Sequence, residues 1–361
     1  MTIKVIDTHA HIVLASAFGK AGKYGPETGL DENGVPFFRI GEYKMKPMQY
    51  EGTIFMENNL RIEAMDNLGI DLQLLSPNPL TMFHRIEGDI ANEFCKIHND
   101  AMVESINEYP DRLLGSATLP MQDVDAACKE LERAVKELGL SAVSTGTDYP
   151  FGLDDPRLDD FYKTVIELDI PLFLHPASTG GEKGPDDWRM GRYDMSIMLG
   201  YAYEETLAVA TLIIGGVMDR HPDLDICISH GGGAMPYLIE RFSEMSEFRD
   251  WAPEGVQKNG FVNELKRLWF DAHVHGEKSQ KMLFDLIGED RLVYGTNFGG
   301  WDTPKKLEKF DSLGRLEFTS QAFQKHFMMI VPQCHLVYEI YLTKVDFKCN
   351  EQKIYMMRQE G

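Results

Sequence analysis

Residues 1 to 12 read MTIKVIDTHAHI, an apolar, β-branched run that ends in His9-Ala10-His11. In an extended strand residues i and i+2 point to the same side. A strand predicted over Lys4–Thr8 would therefore deliver two imidazoles side by side at its end. Neutral imidazole is a common ligand for zinc and its first-row neighbours. Two such donors on one rigid strand need little further ordering to meet an ion. By itself the pair is more often a hydrogen-bonded core feature than a metal site, so its meaning depends on the other histidines.

Working outward, short apolar strands alternate with longer helical patterns up to about residue 300, the rhythm of βα units. Strands are predicted at Lys4–Thr8, Leu72–Ser76, Leu113–Ala117, Ala142–Thr145, Leu172–His175, Asp225–His230, Leu268–His273 and Leu292–Thr296. Helical patterns fill the gaps at Leu60–Leu68, Asp89–Glu108, Val124–Leu138, Arg157–Leu168, Glu204–Arg220, Pro236–Glu247 and Lys278–Ile287, and Leu307–Phe310 could begin an eighth. Eight such units predict an α/β fold, a (β/α)8 TIM barrel whose active site lies at the C-terminal strand ends. Two stretches interrupt the rhythm: residues 14–55 after the first strand and residues 177–202 after the fifth. Loops longer than ~15 residues in compact domains are usually functional or disordered. The apolar and aromatic content of these two favours ordered lids over the catalytic mouth.

Residues 1–312 thus form the expected barrel domain, and residues 313–361 an atypical C-terminal tail whose packing the sequence leaves open. The tail holds 6 Lys/Arg against 5 Asp/Glu, whereas the preceding chain carries 30 against 52. The formal net charge of −21 argues against nucleic acid and anionic membrane surfaces as partners. It does not exclude a small anionic substrate, because a metal and local donors set the field inside a pocket. The five cysteines (Cys95, Cys128, Cys227, Cys334, Cys349) are scattered, odd in number and free of any CxxC, as expected of reduced thiols. No signal-like core opens the chain and no 18-residue apolar run occurs, so a cytoplasmic location is expected.

The other histidines fall where a barrel would use them. Pro171-Leu172-Phe173-Leu174-His175 ends the fifth predicted strand and Ile226-Cys227-Ile228-Ser229-His230 the sixth, while Gly295-Thr296-Asn297 follows the eighth. Together with IDTHAHI, RIEAMDNLGIDLQLLS, LFLHP, IIGGVMDRHPDLDICISHGGGAMPYLIERF and FDAHVH…IGEDRLVYGTNF, these motifs resemble the amidohydrolase superfamily. Within it they are similar to the branch of aminocarboxymuconate-semialdehyde decarboxylase and related aromatic acid decarboxylases, over residues 3 to about 305.

That resemblance implies His9, His11 and His175 as metal ligands, Asn297 at the fourth ligand position, and His230 beside the metal-bound water as base. Zinc is the expected ion, with manganese the alternative, and no organic cofactor is implied. Water on such an ion has a pKa near ~7 in favourable zinc sites, where a histidine suits proton removal. The expected activity is non-oxidative decarboxylation of a small unsaturated or aromatic carboxylic acid. A hydrolase of a lactone, amide or C–C bond on the same barrel is the alternative, since fold does not fix chemistry. The implied partners are a small-molecule carboxylate and, by analogy, a second copy in a homodimer.

Two departures matter. The family pattern has aspartate where this chain has Asn297, which offers a carbonyl oxygen but no charge and no proton. A barrel that has lost its chemistry and serves as a binding subunit is the third reading, with Asp302 as either a substitute carboxylate or a helix cap. Second, the arginine expected shortly before the first outer helix is replaced by Tyr50-Glu51-Gly52-Thr53; Arg39, Lys44 and Lys46 either stand in for it or are solvated loop charges. The three glycines after His230 suggest close approach by a ligand. His84, His98, His221, His326 and His335 read as structural, and Asp271, His273 and His275 as bracing the barrel rim, with one of the two histidines a candidate to face the mouth. Trp188 and Tyr201 are candidate pocket aromatics or lid packing.

Overall fold

The structure, a computed structural model, describes residues 5–177 and 187–300. Strand β1 (Ile6–Ile12) is followed by a small antiparallel sheet of β2 (Glu27–Leu30), β3 (Pro36–Ile40) and β4 (Tyr43–Met45). Helix α1 (Asn58–Leu68) leads to β5 (Leu72–Pro77), α2 (Gly88–Ile106), β6 (Leu113–Ala117), α3 (Val124–Lys136), β7 (Ala142–Thr145) and α4 (Asp159–Glu167). Then come β8 (Leu172–Leu174), α5 (Tyr201–Ile214), α6 (Val217–Arg220), β9 (Ile226–Ile228), α7 (Met235–Ser246), α8 (Glu254–Asn259) and α9 (Phe261–Leu265). Strand β10 (Trp269–Asp271), α10 (Glu277–Ile287) and β11 (Leu292–Val293) complete the described chain. The large sheet is parallel, in the order β1-β5-β6-β7-β8-β9-β10-β11. A bridge between Ala10 and Phe298 returns it to β1. The fold is the predicted (β/α)8 barrel.

Two apolar layers hold it. Ile6, Leu72, Leu74, Leu114, Ala142, Cys227, Trp269 and Val293 form one cluster, drawn from seven different strands, which fills the barrel interior. A second cluster packs the outer strand faces against the helices, with Ala10, Ile12, Met65, Phe94, Leu131 and Phe161 among its members. Helix ends follow the local sequence. The Asp123 carboxylate caps α3 by accepting from the Ala126 N–H at 3.0 Å. Gly69, at φ +67°, closes α1 in the left-handed conformation. The pattern predicted over Glu204–Arg220 breaks into α5 and α6, because Gly216 takes φ +69° between them.

The first strand runs further than its sequence pattern predicted and includes both histidines. Its pairing to β5 shifts between Asp7 and Ala10: three residues on β1 span two on β5. Such an extra residue reverses which side chains face inward. Ile6 belongs to the interior layer, whereas Ala10 and Ile12 belong to the outer one. His9 and His11 consequently face the barrel axis.

The seam between the last strand and β1 is fastened by Asp7, which is fully buried. Its carboxylate accepts from the Thr296 N–H (3.0 Å) and hydroxyl (2.6 Å), from Gln73 Nε2 (2.8 Å) and from the His9 N–H (3.2 Å). Gln73 in turn accepts from buried Arg61, whose other nitrogen donates to the His11 carbonyl at 2.6 Å. One network therefore ties β1, β5, α1 and the segment after β11.

The segment after β1 is ordered through residue 55, and its Tyr43, Met45, Met48, Tyr50 and Phe55 line the central cavity. Of the segment after β8, residues 187–202 are described, and a π-helical turn at Ser196–Gly200 leads into α5. The helical stretch Ser196–Ile214 is apolar enough by length and composition for a membrane span. In the fold it is a barrel helix, with Val209, Leu212 and Ile213 in the core. Cys95 and Cys227 are buried thiols and Cys128 is half-buried. Asp302, the helix expected at Leu307–Phe310, His326, His335, Cys334, Cys349 and the tail 313–361 lie outside the described residues. Replacing Asp7 by Ala leaves four buried donors unsatisfied, and the expected loss is about 3–5 kcal/mol of unfolding free energy. Urea unfolding of the variant checks this; a change below about 1 kcal/mol would show that the seam does not depend on Asp7.

Candidate metal centre

His9, His11, His175 and His230 come from strand ends at three places in the barrel and meet at its mouth. Ring centroids lie 5.0 Å apart for His9 and His11, 5.1 Å for His9 and His175, and 4.8 Å for His11 and His175. His230 sits 4.9 Å from both His9 and His175. In His9, His11 and His175 the three potential ligand nitrogens lie within 4.8 Å of one another, and all three residues are buried.

The outer nitrogen of each of these rings is already committed. His9 Nδ1 meets the Asp271 carboxylate at 2.6 Å and His175 Nδ1 meets the Pro176 carbonyl at 2.8 Å, so both must be N–H donors. His11 Nδ1 meets Ser76 Oγ at 2.9 Å; that hydroxyl gives its proton to the Ala10 carbonyl, so it accepts from His11. With Nδ1 protonated, each neutral ring turns an Nε2 lone pair inward. Two consequences are visible. His9 and His11 face each other Nε2 to Nε2 at 3.2 Å with no proton to share. His175 Nε2 is buried without a hydrogen-bond partner. Both are costly arrangements in an apolar interior. A divalent cation bound by all three nitrogens removes both costs, so these residues fit a metal.

Electrostatics favour the ligand form. Burial pushes the imidazolium pKa of His9 down, opposed by Asp271, and drives those of His11 and His175 further down with the help of neighbouring histidines. Burial raises the Asp271 carboxyl, yet His9, His230 and His273 together hold it below the ordinary value. A carboxylate behind a ligating imidazole raises the ligand's basicity and fixes its orientation.

His230 is arranged differently. Its Nδ1 donates to Glu205 Oε1 at 2.5 Å, and the Ser229 hydroxyl donates to the same oxygen at 2.6 Å. Glu205 is fully buried on α5, and burial raises its carboxyl pKa against the opposing effect of His230. His230 has φ +47°, a strained conformation for a side chain of its size. The following Gly231-Gly232-Gly233 turn also runs at positive φ, and its glycines are needed for close approach within the protein. A Cβ on Gly233 would lie 2.2 Å from the Ala202 carbonyl oxygen, and one on Gly232 2.8 Å from the Phe270 ring. These glycines let the turn pack on α5 and β10, and Gly233 also lines the cavity, where close approach by a ligand was expected.

The histidines open into a cavity of about 440 Å³. Asn297 lines it, buried, at φ +51°. Its side-chain amide lies over Gly300, where any Cβ would overlap it. Tyr201 lines the cavity 5.7 Å from His175, whereas Trp188 is 71% exposed and does not. His273 and His275, assigned to the rim from sequence, also line the cavity, and the His273 ring lies 5.7 Å from His230. Of the loop cations, Arg39 pairs with Glu27 (2.5 Å), Lys46 with Asp31 (2.5 Å), and Lys44 lies over the Phe37 ring; none lines the cavity. Sequence reasoning missed Glu205, which reads as a second carboxylate beside Glu204 on a largely apolar helix. It assigned Asp271 to the rim, where the structure shows it gripping His9. His84, His98 and His221 are structural, as expected: His84 and His221 contact Asp148 and Asp159, and His98 packs on Phe94.

The comparisons agree with this geometry. The 2-amino-3-carboxymuconate-6-semialdehyde decarboxylase of Dictyostelium discoideum is 29% identical over 307 residues, covering 81% of each chain. A gamma-resorcylate decarboxylase of Rhizobium radiobacter is 30% identical over 292 residues, covering 76% of this chain and 84% of its own. Among solved structures, a 5-carboxyvanillate decarboxylase of Novosphingobium aromaticivorans, with manganese and 4-hydroxy-3-methoxy-5-nitrobenzoic acid bound, superposes with a TM-score of 0.57. It is 27% identical and covers 65% of this chain and 68% of that one. The sequence model of the amidohydrolase family matches residues 6–328. With a closed barrel, three inward imidazoles and this match, the chain belongs to the amidohydrolase family.

Proposed function

We propose that the protein is a metal-dependent, non-oxidative decarboxylase of a small aromatic or unsaturated carboxylic acid. One observation carries the reading: His9, His11 and His175 converge beside the Glu205–His230 pair at one wall of an aromatic-lined cavity. The activities of the relatives described above support it. His9, His11 and His175 would hold the ion, and Asn297 offers a carbonyl oxygen from the same cavity. Three neutral nitrogen donors suit zinc, with manganese the alternative. A divalent ion bound there supplies Lewis acidity toward an oxygen of the substrate.

The proton is handled by the chain's own residues. Decarboxylation replaces a C–C bond by a C–H bond, so one proton must reach the carbon that carried the carboxylate. His230, the base expected from the sequence, is the group placed to take up a proton and deliver it there: its side chain is 18% exposed, against 5% for His9. Glu205 accepts from Nδ1, so Nε2, on the other side of the ring, is the atom that would carry the proton. Asn297 has no ionisable proton, so it cannot share this work. Protonation of the ring carbon breaks conjugation, and departure of carbon dioxide restores it.

The test is carbon dioxide release from a panel of hydroxybenzoates, with lactones alongside, by protein as purified, after chelation, and after reloading with zinc or manganese. The account expects release that chelation abolishes and one of the two ions restores. Lactone opening without any carbon dioxide from the acids contradicts it. A second prediction concerns the proton. Replacing His230 by Gln, or Glu205 by Gln, should lower kcat by about 100-fold or more while leaving bound metal unchanged. Loss of the metal from His230→Gln would make His230 a ligand instead, and full activity of Glu205→Gln would remove Glu205 from the mechanism.

A further inference from the structure

The cavity has two chemically distinct parts. One is the imidazole group of His11, His175, His230 and His273; the other includes Met45, Met48, Phe55, Leu80, Ile197 and Met198. Among the described residues, no lysine or arginine lines it. On the lid before α1 the ring of Tyr50 lines the cavity, packed on Phe38 and Phe55 at 4.9 and 4.7 Å. The Tyr50 hydroxyl accepts from Asn78 Nδ2 at 3.1 Å, and Asn78 Oδ1 is taken by the Leu80 N–H at 3.0 Å. Arg39, Lys44 and Lys46 on the same lid are engaged elsewhere, as described above. The acidic side chain of the lining is Glu205, of the wrong sign to receive an anion.

A second carboxylate brought against these apolar side chains loses its hydration, and among the described lining residues no cation compensates. A methyl or other alkyl group brought to the same wall gains apolar contact with the methionines, whose flexible thioethers adapt to its shape. The aromatic rings of Tyr43, Tyr50, Phe55 and Tyr201 suit a flat ring between them.

From this arrangement, and resting on the decarboxylase reading for the chemistry, we infer that the substrate is an aromatic monocarboxylate with an apolar edge. Its single carboxylate lies at the imidazole end, and Met45 and Met48 on the lid select against a second one. The inference narrows the substrate class that the family activity leaves open between mono- and dicarboxylic acids.

Calorimetric binding to the metal-loaded enzyme tests it without requiring turnover. The probes are 2-hydroxy-5-methylbenzoate and 4-hydroxyisophthalate, which differ by methyl against carboxylate on the ring edge away from the hydroxyl–carboxylate pair. The methyl compound is expected to bind at least about tenfold tighter. Met48→Arg and, separately, Met45→Lys should narrow or reverse that ratio, with metal content measured to confirm an intact site. Equal or tighter binding of the dicarboxylate by the unaltered protein overturns the inference. So does failure to bind either acid, or a ratio unchanged in both variants. Selective binding without carbon dioxide release would leave this inference standing and sink the decarboxylase reading alone.

Discussion

A single extra residue in β1 decides what this barrel can do. The pairing shift between Asp7 and Ala10 turns His9 and His11 inward, where an unbroken alternation from Ile6 would have turned in Thr8 and Ala10. Everything chemical depends on that reversal. It places two imidazoles on the axis, within reach of His175 from β8, and it leaves the apolar alternates to pack on the outer helices. A bulge costs local ladder hydrogen bonds, and here Asp7 restores some of them by accepting from the His9 N–H and the Thr296 N–H.

The same economy of position runs through the surrounding residues. Asp271, Ser76 and the Pro176 carbonyl each hold one Nδ1, so the three Nε2 atoms cannot turn away from one another. Gly295 is small enough to let the segment after β11 pass β1: a Cβ there would lie 2.8 Å from the Cβ of His9. Through His9, whose N–H reaches Asp7 and whose ring reaches Asp271, the metal ligands join the barrel seam, and the His230–Glu205 pair lies beside them in one polar cluster. It sits above an apolar interior layer that supplies stability and no chemistry.

Much of this was legible in the sequence, for physical reasons. Eight short apolar runs separated by helical periodicity determine a barrel, and the places of His175 and His230 after their strands put them at its mouth. The limits are equally physical. The sheet of residues 27–45 was invisible because ETGL, PFFRI and YKM are short and interrupted by Gly, Pro and charge, so neither period emerges. Glu205 and Asp271 owe their roles to partners 25 and 262 residues away, which no local pattern encodes. The bulge itself left no mark in MTIKVIDTHAHI, since an extended run reads the same with or without it. The expected arginine before α1 was visibly missing from the sequence, but only packing shows that Tyr50 faces the cavity while Arg39, Lys44 and Lys46 do not.

The central claim is that one divalent ion is held by the Nε2 atoms of His9, His11 and His175. Anomalous diffraction from crystals of the metal-loaded protein, collected at the absorption edge of the ion, tests it most directly. The account predicts a single strong peak per chain within coordination distance of those three nitrogens, and its disappearance in His175→Ala. A peak elsewhere in the molecule, ligation through Nδ1, or no peak with all three imidazoles intact would contradict it.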